Sequence, residues 1–124
     1  MHTDIDCLIG RTFDSVVNLD DREVQFINDN RLDVRIYHQQ DCCESVYIKD
    51  ICGDLADLVG SPILQAEEVS NIDLGPESEY DHYFTWTFYK IATIKGSVTL
   101  QWYGTSNGYY SEQVSIEDLT KGYK

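Results

Sequence analysis

The chain has 124 residues, with nine basic against 22 acidic side chains, a net charge of -13 and a pI near 4.3. That length fits one domain over residues 1–124 with a core of its own, and the charge argues against direct binding of nucleic-acid phosphates or anionic membrane surfaces. No run is long and apolar enough to span a bilayer, and the opening "MHTDIDCLIGRTF" lacks the basic-then-apolar order of a secretion signal. A cytoplasmic protein with reduced thiols is therefore expected.

Strand signals dominate the chain order. "RTFDSVVNL" (11–19) reads as a strand, Asp20-Asp21 as a turn, and "REVQFI" (22–27) as a second strand with Val24 and Phe26 on one face. "NDN" (28–30) is a turn, because Asn and Asp tolerate left-handed backbone. "LDVRIYH" (32–38) places Leu32, Val34, Ile36 and His38 on one face and Asp33, Arg35 and Tyr37 on the other. These three form an antiparallel meander. "ESVYIKDI" (44–51) is a fourth strand.

The spacing then predicts one short helix over about 53–60, with Asp54 as N-cap, Leu55, Leu58 and Val59 on its apolar face, and Gly60 and Pro62 ending it. "PILQAEEV" (62–69) favours a strand, and 70–82 is an acidic loop. "YFTWTFYKIATI" (83–94), "SVTLQWYG" (97–104) and "YYSEQVSI" (109–116) are three consecutive strands, the last pair joined by Asn107-Gly108, a strong hairpin signal. The expected fold is α+β and mainly antiparallel β, with six to seven strands in two meanders or hairpins and one helix.

Two stretches carry candidate chemistry. "IYHQQDCCESVY" (36–47) gathers His38, Asp41, Cys42 and Cys43, and His38-x₃-Cys42 has a spacing that zinc accepts. Adjacent cysteines on a turn point apart, however, and a Cys42–Cys43 bridge would close a strained eight-membered ring of a rare kind. The plainer expectation is a core histidine, an aspartate capping a turn and two small buried thiols, with no cofactor. "WYGTSNGYYSE" (102–112) sets Trp102, Tyr103, Tyr109 and Tyr110 around a turn bearing Thr105, Ser106 and Asn107. Rings beside hydroxyls and an amide suit a base or peptide, while cross-strand aromatic pairs also stabilise hairpins without any ligand.

The remaining acids, such as Asp20-Asp21, Asp54 with Asp57, and Glu67-Glu68, are expected as solvated faces. No phosphate loop, dinucleotide fingerprint, nucleophile elbow or zinc-protease motif is present, so enzymatic activity is not expected.

"YHQQDCCESVYI", "DICGDLADLVGSPILQAEEVSN" and "TWTFYKIATIKGSVTLQWYGTSNGYYSE" together resemble a family of small bacteriophage proteins, a domain of unknown function, over roughly residues 8 to 119. The resemblance supplies no catalytic residues. It implies an accessory factor in the host cytoplasm that binds and inhibits a host or host-defence component, here through an acidic and aromatic surface. A second expectation is a sponge for a small signalling nucleotide, at a boundary between like subunits. There Trp102 and Tyr109 would hold the base and Ser106 and Asn107 its polar groups, with cations drawn from Arg11, Arg31, Arg35, Lys90 or Lys95. A third is a zinc-binding protein using the His/Cys cluster.

Overall fold

The computed structural model describes residues 4–40, 42–70, 74–108 and 111–120. Its described residues form eight antiparallel strands in two four-stranded sheets, one more strand than the sequence reading allowed. The first sheet has the order β1 (Ser15–Leu19), β2 (Glu23–Asn28), β3 (Arg31–Tyr37), β8 (Ser115–Asp118). The second has the order β4 (Ser45–Cys52), β7 (Gly96–Ser106), β6 (Tyr83–Thr93), β5 (Gln65–Ser70).

Local chemistry explains the meander. Asp20 and Asp21 have φ of 52° and 59°, and Asp29 and Asn30 have φ of 52° and 60°. Positive φ at both central residues is what tight hairpin turns demand, and Asn and Asp tolerate it best after glycine. Asn18 reinforces the first turn, accepting from the Asp21 N–H at 3.0 Å and donating to its carboxylate at 2.8 Å. Strand alternation then buries Val24, Phe26, Val34 and Ile36 completely. These side chains share one core with Val46, Ile48, Tyr89, Ile91, Val98, Leu100 and Trp102 of the second sheet.

Two expectations fail here. The segment expected to be a helix over about 53–60 is a four-residue 3-10 turn, Leu55–Leu58, one of two such turns beside Ile5–Leu8. Asp54 does cap it, accepting from the Ala56 N–H at 3.0 Å, but Gly53 and Gly60 at φ of 109° and 81° stop it on both sides. The fold is therefore mostly β, without an α-helix among the described residues.

The Asn107-Gly108 hairpin also fails. β7 pairs with β6 and β4, whereas β8 pairs with β3 in the other sheet. Asn107-Gly108 thus opens a crossing between sheets.

Register shows where the crossings meet. The end of β3 lies beside the start of β8 (Tyr37↔Ser115), and the start of β4 lies beside the end of β7 (Ser45↔Thr105). The end of β5 and the start of β6 lie at the same end of the second sheet (Ser70↔Thr87, Tyr83↔Ser106). The described parts of three connections, 38–40 with 42–44, 74–82, and 107–108 with 111–114, therefore gather at one end of the molecule. Loops held on a rigid sheet are where binding residues concentrate.

Candidate functional site

The 38–44 crossing is anchored by a buried pair. The His38 and Glu44 side chains are 5% and 1% exposed, and His38 Nε2 sits 3.3 Å from Glu44 Oε2 without the alignment of a hydrogen bond. On the other side of the ring, Nδ1 lies 2.7 Å from the Gln113 carbonyl. A carbonyl can only accept, so Nδ1 carries a hydrogen. Glu44 Oε1 accepts from the Cys42 N–H at 2.8 Å and from Gln40 Nε2 at 2.9 Å. A buried carboxylate surrounded by donors is satisfied and fixes the crossing. The His38 side chain is thus turned inward as the alternation predicted, but at the edge of the core rather than within it, and its Nδ1 partner lies 75 residues away.

The cysteines differ from expectation. Cys42 and Cys43 are exposed rather than buried, their sulfurs are bonded to each other, and their Cα atoms are 3.7 Å apart. Asp41 lies outside the described residues. Among the described residues no group of three or more His, Cys, Asp and Glu is arranged to hold a metal ion. Cys7 and Cys52 carry no disulfide.

The aromatic stretch is split between two faces. Trp102 is 0% exposed on the inner face of β7, where Val98 and Leu100 precede it in the same alternation. Its ring is core, with no face left for a stacked base. Tyr103 points the other way and is also buried, at 2% exposure. It packs 4.5 Å from Trp86, 6.3 Å from Phe84 and 6.2 Å from Tyr47, centroid to centroid. The 74–82 loop closes over this cluster. Tyr103 donates to Asp81 Oδ2 at 2.6 Å and accepts from the Glu77 N–H at 2.9 Å, while Trp86 Nε1 donates to the Gly75 carbonyl at 3.0 Å. Burial, and then the bond to Asp81, push the Tyr103 phenol up to about 12.

Thr105 and Ser106 are half-buried and Asn107 is exposed, while Tyr109 and Tyr110 lie outside the described residues. Ser106 donates to Glu112 Oε2, and Thr85 donates to Glu112 Oε1 at 2.7 Å. This brings the 111–114 segment across the inner face of β7 at Gly104. A Cβ at Gly104 would stand 2.9 Å from the Glu112 carbonyl oxygen and 3.1 Å from Val46. Only glycine admits that approach.

Sequence reasoning missed an open cleft beside this segment. It measures about 280 Å³ and is lined on one side by Glu68, Ser70, Thr85, Thr87 and Tyr89, and on the other by Ser111, Glu112, Gln113 and Val114. Ser111 and Gln113 also line a second hollow with His38 and Gln40, so the two stretches singled out in the sequence meet at one end of the fold. The signal was available in the inward positions of β5 and β6. There the aliphatic sequence Ala66 and Ile91 gives way to Glu68, Ser70, Thr85 and Thr87, where a pure core would continue apolar.

No helix is long and apolar enough to cross a membrane among the described residues. No curated protein and no solved structure matches the chain. Residues 6–116 match a domain of unknown function, DUF7448, and the chain belongs to that family.

Proposed function

We propose that this is a non-enzymatic accessory protein of phage origin that binds and inhibits a host or host-defence component by covering a basic surface on it. The observation that carries this reading is the way the charges are sorted. All four arginines are engaged within the fold. Arg11 pairs with Asp118 at 3.0 Å and Arg31 with Asp33 at 3.2 Å. Arg35 pairs with Glu117 at 2.6 Å and stacks on Tyr37, and Arg22 reaches the Val46 carbonyl at 3.4 Å. Acids including Asp6, Asp20, Asp50, Asp54, Glu67, Glu68 and Glu79 are exposed. A chain at -13, three of whose four arginines face its own carboxylates, presents a negative field to its surroundings.

Such a field steers association with a basic surface and is screened by salt. The test starts with tagged protein captured from host lysate, followed by remixing of the recovered partner in pure form. Affinity for a basic partner should fall at least about tenfold between about 50 and 500 mM salt, as the Debye length shrinks from about 14 to about 4 Å. An acidic partner, or an affinity indifferent to salt, would sink the reading.

A further inference from the structure

The cleft between β5–β6 and the 111–114 segment has a chemistry distinct from the general acidic surface. Its lining has two carboxylates, Glu68 and Glu112, four aliphatic hydroxyls, Ser70, Thr85, Thr87 and Ser111, and the Gln113 amide, with no Lys or Arg among them. Tyr89 also lines it. That residue is 0% exposed, and its hydroxyl makes no well-aligned hydrogen bond within the fold, although it lies beside the Glu68 carboxylate. An unpaired buried hydroxyl costs about 1–3 kcal/mol. A buried polar group without a partner in its own protein calls for an explanation, and at the wall of an open cleft a bound molecule is one.

The register explains why Tyr89 belongs to this cleft. Tyr89 faces Glu68 across the β5–β6 pair and Thr87 faces Ser70. Alternation puts Thr85, Thr87 and Tyr89 on one face of β6. That face is apolar further along, at Ile91, where it meets Ala66. The polar stretch is therefore confined to the end of the sheet where the crossings gather.

We propose that this cleft binds a small hydroxylated organic cation, of the class of amino sugars and amino alcohols. The carboxylates take the ammonium group, and the hydroxyls and the Gln113 amide pair with the ligand's own hydroxyls. Tyr89 is held protonated, first by burial and then by the charge and contact of Glu68, so its phenol serves as a donor to a ligand oxygen once the ammonium engages Glu68. Glu112 is already oriented by Thr85 and Ser106, one on each oxygen, and each oxygen keeps a further lone pair for the ligand. A bare metal ion fits less well, since the cleft offers two carboxylates where hard cations take six or more oxygens. A nucleotide phosphate fits worst, because the lining holds negative charge and no cation. The volume is at the small end of ligand pockets and suits a single sugar ring rather than a chain.

The experiment is an amide NMR titration of the full chain with D-glucosamine at a pH where its amine is charged. Glucose and N-acetylglucosamine serve as neutral counterparts. Glucosamine should shift amides in 68–70, 85–89 and 111–114, and bind at least about tenfold more tightly than either neutral sugar, the ratio expected from one charge-assisted bond. Glu68→Gln, at an exposed position, should lower glucosamine affinity about tenfold while leaving the rest of the spectrum in place. Tyr89→Phe should weaken glucosamine and both neutral sugars by a similar factor, because it removes the donor to the ring hydroxyls rather than the charge. Equal affinity for the three sugars, shifts scattered away from the cleft, or unchanged binding in both variants would overturn the proposal.

Discussion

Tyr89 and Tyr103 stand on neighbouring strands of one sheet, both buried, and point to opposite sides of it. Tyr103 looks outward, yet its hydroxyl is completed by Asp81 and the Glu77 N–H, and a loop seals the ring against Trp86. Tyr89 looks inward, where a core residue should be best provided for, yet its hydroxyl makes no well-aligned hydrogen bond to the protein and has only the Glu68 carboxylate beside it. The difference separates two uses of a buried polar group. A fully paired hydroxyl closes a face of the fold, whereas an unpaired one marks a place that the fold leaves open to something else.

The closed side should therefore lose most when broken. Trp86→Ala removes the ring against Tyr103 and the Nε1 bond to Gly75, and should cost about 3–5 kcal/mol in chemical denaturation. Tyr103→Phe keeps the ring and deletes only the hydroxyl. Because that removes two part-buried hydrogen bonds, to the Asp81 carboxylate and from the Glu77 N–H, about 1–2 kcal/mol should be lost. The phenol also gives this region a pH signature. Its folded value is raised to about 12 from an ordinary value near 10. A raised folded value means stability that is fully present below pH 10 and drains away as pH climbs from 10 towards 12. Wild type should show that alkaline decline, and Tyr103→Phe should have less of it. Identical alkaline profiles would mean that Asp81 does not hold the phenol proton.

Asp118 is the same kind of completed group on the first sheet, and its loss should be no larger. Burial works against its charge, but bonds from the Thr120 hydroxyl and N–H and the pairing with Arg11 outweigh it and hold its carboxyl below the usual range. A depressed folded value gives stability above the unfolded value near 3.9 that is lost as pH falls through the folded one. Asp118→Asn should cost about 1–2 kcal/mol near pH 7. The gap from wild type should narrow as pH falls below the unfolded value near 3.9. A gap that stays constant as the acid limb is descended would show that charge contributes nothing at this site.

How much of this could be read from the sequence depends on how local each cause is. The turns at Asp20-Asp21 and Asp29-Asn30 and the buried faces of β2 and β3 follow from residue type and period two, and they were legible. Trp102 was legible too, since it continues Val98 and Leu100 on the core face, but a turn rich in aromatics drew attention to the rim instead. Asn107-Gly108 misled because turn chemistry is local, while the partner of a four-residue strand is chosen by the whole fold. His38 could be placed on the buried face, but its contact with Gln113 depends on two crossings returning to one end. The cleft needed both sheets and the 111–114 segment at once. The hint of it was polar residues at inward positions of β5 and β6, and in a strand at the edge of a sheet such residues also serve to block unwanted pairing.

The smallest expected effect is the most informative about the open side. Tyr89→Phe deletes a hydroxyl without a well-aligned hydrogen bond in the fold, and its neighbour Glu68 is exposed to water, so nothing buried is left stranded by its removal. The ring stays, the buried apolar area is kept, and the cost of burying an unpaired hydroxyl disappears. Stability should change by less than about 0.5 kcal/mol or rise slightly, against the loss predicted for the same change at Tyr103. Urea midpoints of the two variants, measured side by side in ligand-free buffer, give the contrast directly. If Tyr89→Phe loses as much as Tyr103→Phe, the hydroxyl has a partner within the folded chain, and the inner cleft is as closed as the outer face. If it loses nothing, this part of the polar lining is not maintained for folding, as binding at the cleft requires.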